Sequence, residues 1–311
     1  MKWTAADIPS QEGRTAVVTG ANSGLGKVVA QELARAGALV VLACRDTGKG
    51  ERVAAQIRAA APGAGVEVAE LDLAALDSVR AFAEGFAGGR RRLDLLVNNA
   101  GVMAVPHRRT GDGFELQLGT NHLGHFALTG RLLPLLRERE DARVVTVSSG
   151  VHHGASIDFD DLQGERHYSR WGAYGQSKLA NLLFALELDR RLRSAGLPVI
   201  SVAAHPGYAA TNLQFSGPPA SERLFMRVGN LLFAQSAEMG ALPILFAATA
   251  PGLAGGAFVG PDGLFEGRGH PRLVTPSATA RDQSTAARLW ELSERLTGVA
   301  YDFGPGSQSS V

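Results

Sequence analysis

The sequence predicts an α/β protein built on a doubly wound (Rossmann), mostly parallel sheet of seven strands with helices on both faces. Short β-branched runs alternate with longer helical patterns from Thr15 to about Ala204. No linker or repeat interrupts the alternation, so residues 1–311 are expected to form one domain. The first run leads directly into a glycine-rich turn that opens a helix.

The expected strands are Thr15–Thr19, Leu39–Ala43, Val66–Leu71, Leu93–Asn98, Val144–Ser148 and Val199–Ala203, with a weaker seventh near Ala257–Val259. Helical patterns fill the intervals, as in Gln31 to Arg35, Glu51 to Ala60 and Ser78 to Phe86. Right-handed crossovers make the sheet doubly wound and put ligands at the carboxyl ends of its strands. The uncharged stretch between Glu238 and Asp262 is interrupted by Pro243, Pro251 and several glycines, so it reads as a buried helix, a turn and a strand rather than a membrane span. Around 212–228 the pattern breaks, and a cover over the ligand site is expected there, with Phe215, Leu224, Phe225 and Met226 as its apolar wall. Residues 306–311 read as disordered.

Composition narrows the function. The 311 residues are 45% hydrophobic and 20% charged with a net charge of +1, so no basic stripe is available for nucleic-acid phosphates. The single cysteine, Cys44, excludes an internal disulfide framework and points to a reducing, cytoplasmic setting. Met1 to Gln11 lacks the apolar stretch of a secretory signal, and no membrane anchor is expected. His122/His125 and His152/His153 are the histidine pairs, but neither gains a carboxylate or thiolate at ligand spacing, so no metal is expected.

The first turn reads Thr19-Gly20-Ala21-Asn22-Ser23-Gly24-Leu25-Gly26. Its glycines permit a tight turn, close approach of a pyrophosphate and close packing of the helix whose amino end faces the phosphates. Gly20, Asn22, Ser23, Gly24, Leu25 and Gly26 are therefore cofactor candidates. At the end of the second strand stands Ala43-Cys44-Arg45-Asp46. Arg45 suits a ribose 2′-phosphate, which favours NADP(H), while Asp46 keeps NAD(H) open should the strand end one or two residues away. Asp72 and Leu73 follow the third strand, and Asn99, Ala100 and Gly101 the fourth, on the same edge.

Tyr174 and Lys178 stand four apart on one helical face. Lowering a tyrosine pKa from about 10 to about 7 needs about 4 kcal/mol, which one ammonium about 4.5 Å away at an effective dielectric near 20 supplies. Such a tyrosine can exchange a proton with a carbonyl or alcohol oxygen. Ser148-Ser149 ends the fifth strand on that edge and offers a hydroxyl to hold the oxygen. Asn121 lies in a long helical stretch where asparagine is a poor helix former, and its side chain or released backbone can hold a water beside Lys178.

With these residues in order, and with His205-Pro206-Gly207 after the sixth strand, the chain resembles the short-chain dehydrogenase/reductase superfamily over essentially its whole length. The resemblance implies Ser149 as the substrate-orienting hydroxyl, Tyr174 as acid/base, Lys178 as its ribose-binding partner and Asn121 as relay. Pro206, Gly207 and Thr211 would line the nicotinamide carboxamide. Ala43-Cys44-Arg45-Asp46, His152/His153, Asp161-Leu162, the segment from Tyr174 to Asn181 and Leu289-Trp290-Glu291 resemble the retinol-dehydrogenase-like group, which prefers NADP. Animal members commonly carry an amino-terminal membrane anchor, and this sequence departs from them there. The resemblance also implies a homodimer or homotetramer through the helices holding Asn121 and Tyr174.

The reading is an NADP(H)-dependent reductase or dehydrogenase acting on a small lipophilic carbonyl or alcohol. The competing class is an NADP-binding sensor or interaction protein without chemistry, which loss of Tyr174 or Ser149 would favour; both are present. A likeness to light-driven protochlorophyllide reductases rests on the same segments, but Cys44 at a strand end is poorly placed for a pigment pocket.

Overall fold

The computed structural model describes residues 2–89, 92–208 and 235–304. Thr211, the segment 212–228 and residues 306–311 lie outside the described residues. The strands are β1 (Thr15–Thr19), β2 (Leu39–Cys44), β3 (Val66–Glu70), β4 (Leu95–Asn98), β5 (Arg143–Val147), β6 (Ile200–Ala204), β7 (Phe258–Pro261) and β8 (Pro271–Leu273). Their order across the sheet is β3-β2-β1-β4-β5-β6-β7-β8. The first seven are parallel and β8 returns antiparallel along β7. The order reverses between β1 and β4, the place where an open α/β sheet leaves a crevice for ligands.

The helices are α1 (Gly24–Arg35), α2 (Thr47–Ala60), α3 (Leu76–Gly88), α4, α5 (Arg170–Ser194), α6 (Ala237–Thr249) and α7 (Gln283–Thr297). Helix α4 begins as Leu116–Leu118, widens into a π-helical turn at Gly119–Leu123 and resumes at Gly124–Leu136. The strands alternate, but both alternating sets are apolar because both faces are covered. Val17, Val41, Leu96 and Val144 pack with α3, α4 and α5, whereas Ala16, Val18, Leu42, Val97 and Val145 pack with α1, α2 and α6.

All seven expected strands are found within two residues at each end, the seventh running from Phe258 to Pro261. The stretch after Glu238 forms α6 and β7 as expected. Strand β8 was not expected: three residues opening on proline and largely exposed carry no alternating signal, and such a piece is tolerated only at a sheet edge. Apolar residues of α4 and α5 pack against the chain's own α7 and Val299 to Phe303, with the Tyr301 hydroxyl donating to the Phe126 carbonyl at 2.7 Å. Among the described residues, no helix is long and apolar enough to cross a membrane.

Candidate functional site

Parallel strands bring their carboxyl ends to one edge, and the candidate residues outside the undescribed segment gather there. After β1, Gly20 and Gly24 take φ of +66° and +55°, a conformation that favours glycine. A Cβ on Gly26 would lie 2.5 Å from the Gly20 carbonyl oxygen and 2.5 Å from Asn99 Nδ2, so only glycine lets α1 start this close to the turn. The amino end of α1 opens beside Asn22 and Ser23, and this cradle fits a pyrophosphate.

The fourth-strand turn is tied to the first. Thr19 Oγ1 accepts the backbone N–H of both Asn99 and Ala100 at 2.9 Å, and Asn99 Nδ2 donates to the Thr19 carbonyl at 2.8 Å. Gly101 faces Asn121 and Lys178: a Cβ there would stand 3.0 Å from Asn121 Oδ1 and 3.6 Å from Lys178 Nζ. Leu73 is buried against Gly124, whose missing side chain makes room for the Leu73 carbonyl.

At the end of β2, Arg45 and Asp46 are placed differently. The strand runs one residue past Ala43, to Cys44, and Asp46 is spent as the N-cap of α2, accepting the Lys49 N–H at 2.9 Å and facing Lys49 Nζ at 3.4 Å. The Arg45 side chain is 76% exposed, with the Asp72 carboxylate 3.9 Å away. Burial, reinforced by Asp46 and Glu51, pushes the Cys44 thiol up to about 11, which leaves it unreactive.

At the reacting end, the two serines after β5 divide their labour. Ser148 is buried and donates to the Lys178 carbonyl at 2.7 Å, which pins α5 to the strand. The Ser149 hydroxyl lies close enough to the Tyr174 phenol to lower its pKa. Tyr174 packs against Met103 and Ala104, and the Trp171 ring meets it edge-on at 6.0 Å. Lys178 Nζ lies 5.8 Å from the Tyr174 ring centroid and donates to the Val147 carbonyl at 3.1 Å.

Here the structure departs from the electrostatic expectation. Burial pushes the Tyr174 phenol up to about 12, against the opposing influence of the Ser149 hydroxyl, and burial brings the Lys178 ammonium down to about 8. Desolvation dominates at the buried phenol, so Tyr174 is held protonated at neutral pH.

Asn121 falls in the π-helical turn. Its Nδ2 donates to the Val102 carbonyl and to Ser177 Oγ, both at 2.9 Å, and its Oδ1 accepts the Val102 N–H at 2.8 Å. The side chain is thus committed, which leaves the backbone carbonyl as the group able to hold a water.

Pro206 and Gly207 follow β6 in a turn clasped from two sides. Gln235 Nε2 donates to the Pro206 carbonyl at 2.6 Å, and the Tyr208 N–H donates to the Gly267 carbonyl at 2.7 Å. Before that turn, His205 is held by Glu266 at 2.9 Å and by the Gly207 N–H at 3.3 Å. Gln235, Glu266 and the Thr19 hydroxyl escaped the sequence reading; only Thr19 had a signal, its place next to Gly20. Of the histidine pairs, His122 meets Ser293 Oγ at 2.8 Å, and His152 meets the Ser149 carbonyl at 2.8 Å.

A family model described as short chain dehydrogenase matches residues 14–219. Human retinol dehydrogenase 12 is 44% identical over 292 residues, covering 93% of this chain and 88% of that protein. A crystal structure of an uncharacterized protein from Mycobacterium paratuberculosis superposes with TM-score 0.82 at 50% identity, over 97% of this chain and 100% of that one. The Pseudomonas aeruginosa RhlG/NADP active-site complex superposes with TM-score 0.64 at 27% identity, over 83% and 98%.

Proposed function

We propose, for a chain that belongs to the short-chain dehydrogenase/reductase family and to its retinol-dehydrogenase-like group, that its oxidoreductase chemistry is NADP(H)-dependent interconversion of a lipophilic carbonyl and its alcohol. The observation that carries this reading is the convergence of Ser149, Tyr174 and Lys178 at the carboxyl end of β5, beside the glycine turn of the switch point.

The cradle of Gly20, Gly24 and Gly26 at the amino end of α1 would hold the pyrophosphate, and Asn99, Ala100 and Gly101 the nucleoside beside it, with Pro206 and Gly207 toward the carboxamide. The bound nicotinamide supplies or accepts the hydride. Arg45 favours the 2′-phosphorylated form, because its fork projects from the strand end while Asp46 is committed to capping α2. A relative of the same fold, the RhlG complex, holds NADP.

In reduction, the buried and protonated Tyr174 donates its proton to the substrate oxygen as charge develops there. Ser149 Oγ donates a hydrogen bond to the same oxygen. Lys178, kept near the ring, stabilises the resulting phenolate, and the Asn121 carbonyl holds the water through which the proton is replaced. Trp171, Val151 and Tyr208 are among the few large apolar side chains exposed on the described surface, and each adjoins Tyr174, Ser149 or Gly207 in sequence. They favour a lipophilic substrate, as does the likeness to a retinol dehydrogenase. We place the enzyme in the cytoplasm because its single cysteine can form no internal disulfide.

The test follows NADPH and NADH absorbance against a panel of lipophilic aldehydes, ketones and quinones, with wild type beside Tyr174→Phe. Turnover preferring NADPH and lost by at least about a hundredfold in the variant supports the reading. Equal turnover in wild type and variant refutes the role of Tyr174, and preference for NADH refutes that of Arg45.

A further inference from the structure

His125, one helical turn after Asn121, joins the two halves of the candidate site through its two ring nitrogens. Nδ1 meets the Asn121 carbonyl oxygen at 2.9 Å, and Nε2 meets Thr19 Oγ1 at 2.9 Å. The ring is 1% exposed. We infer that His125 is a positioning residue: it aims the Asn121 carbonyl at the Lys178 side of the site and locks that aim to the cofactor turn through Thr19. This rests on the oxidoreductase reading above.

The protons of this chain have one consistent arrangement. A carbonyl only accepts, so Nδ1 must carry the hydrogen toward Asn121. Burial, and then the charge of Lys178, bring the His125 pKa down to about 4, so the ring is neutral and Nε2 is bare. Nε2 must then accept, and the donor in reach is the Thr19 hydroxyl. That hydroxyl already accepts the N–H groups of Asn99 and Ala100, so its own proton is free to go to His125 at 2.9 Å rather than to the Val97 carbonyl at 3.3 Å. Each member polarises the next in a buried, low-dielectric setting.

The arrangement has a functional consequence because the Asn121 side chain is already committed to Val102 and Ser177. What Asn121 can offer to a proton path is its carbonyl, and in a π-helical turn the regular helical bonding that would aim a carbonyl is interrupted. His125 adds a side-chain hold on that carbonyl at 2.9 Å. It does not relay the proton itself, since both nitrogens are occupied and a second positive charge beside Lys178 is disfavoured.

Three substitutions separate this role from packing. His125→Asn places an amide N–H where Nδ1 was and keeps the hold on Asn121. His125→Gln reaches toward Thr19 and loses that hold. His125→Leu loses both. With folding checked by circular dichroism and Tm, and NADPH binding by fluorescence, His125→Leu and His125→Gln are expected to lower kcat by about 10- to 100-fold while the NADPH Kd stays within about threefold. The apparent pKa of alcohol oxidation, which requires ionised Tyr174, moves up in both. His125→Asn recovers kcat to within about threefold of wild type and restores the pH profile.

If folded His125→Leu keeps the wild-type kcat and pH profile, or if all three variants lose activity in step with Tm at an unchanged profile, the positioning role is wrong while the oxidoreductase reading stands. A wild type that binds NADPH yet turns over no carbonyl or alcohol overturns that reading, and the role of His125 with it.

Discussion

Adding one methyl group to Gly26 tests the cofactor cradle most directly, because the structure states what the methyl would meet. It would lie 2.5 Å from Asn99 Nδ2, 2.5 Å from the Gly20 carbonyl oxygen and 3.0 Å from the Gly20 carbonyl carbon. Contact without repulsion begins near 3.4 Å. Two of these atoms are backbone and cannot swing aside, so α1 must back away from the turn by about 0.9 Å. Overpacking of this kind costs about 1–3 kcal/mol, and the better helix propensity of alanine offsets up to about 1 kcal/mol. The net loss of about 1–2 kcal/mol lowers Tm by roughly 2–6 °C. The same shift moves the amino end of α1 from the phosphate position, so the NADPH Kd rises about tenfold or more, about 1.4 kcal/mol for each factor of ten. Gly85, inside α3, is the control: nothing lies within 4 Å of its added Cβ. Gly85→Ala should therefore raise stability by about 0.4–1 kcal/mol and leave NADPH binding unchanged. Thermal melts and NADPH fluorescence titrations on both variants read the result. A Gly26→Ala protein as stable as Gly85→Ala, with wild-type affinity for NADPH, would refute the steric argument.

Further expectations concern selectivity, the serines and pH. Arg45→Ala should weaken NADPH by about 10- to 100-fold and leave NADH unchanged in parallel titrations, since it removes the bidentate phosphate contact proposed for Arg45 and, of the ion pairs, the 3.9 Å approach to Asp72. Ser149→Ala should lower kcat about a hundredfold or more at unchanged Tm, whereas Ser148→Ala should cost about 1 kcal/mol of stability with kcat within a few-fold; the opposite pattern would reassign the substrate-orienting hydroxyl. Burial first, then neighbouring histidine or lysine charge, brings His122 down to about 3 and His125 and His205 to about 4. The unfolded chain binds protons near pH 6.5 that these rings refuse. Stability is therefore full above pH 6.5 and falls as pH drops toward 4, by on the order of 1 kcal/mol per pH unit for each histidine. A Tm that is flat between pH 6.5 and 5 would contradict this.

Much of the molecule is legible along the chain because its signals are local. Strand alternation, the glycine turn, the four-residue spacing of Tyr174 and Lys178 and the serines after the fifth strand each depend on neighbours only a few residues apart. Parallel connectivity then delivers their strand ends to one edge without knowledge of any long-range contact. The elements that escaped, or shifted, are those set by partners distant in sequence. Strand β8 exists because β7 offers it an edge. Gln235 and Glu266 became part of the site by reaching back to Pro206 and His205.

The amino-acid sequence by itself determined the fold class and the glycine turn that opens α1, and it brought the serines after β5, Tyr174 and Lys178 forward as candidates, because periodicity and motif order are properties of short segments. Tertiary structure alone decided the electrostatics and the proton arrangement. It showed desolvation holding Tyr174 protonated although Lys178 is near, spent Asp46 on a helix cap while leaving Arg45 outward, and joined Thr19, His125 and Asn121 into one chain of hydrogen bonds. The physical reason is that burial and hydrogen-bond direction depend on what packs around a group in three dimensions, and that surrounding is assembled from strands and helices about a hundred residues apart.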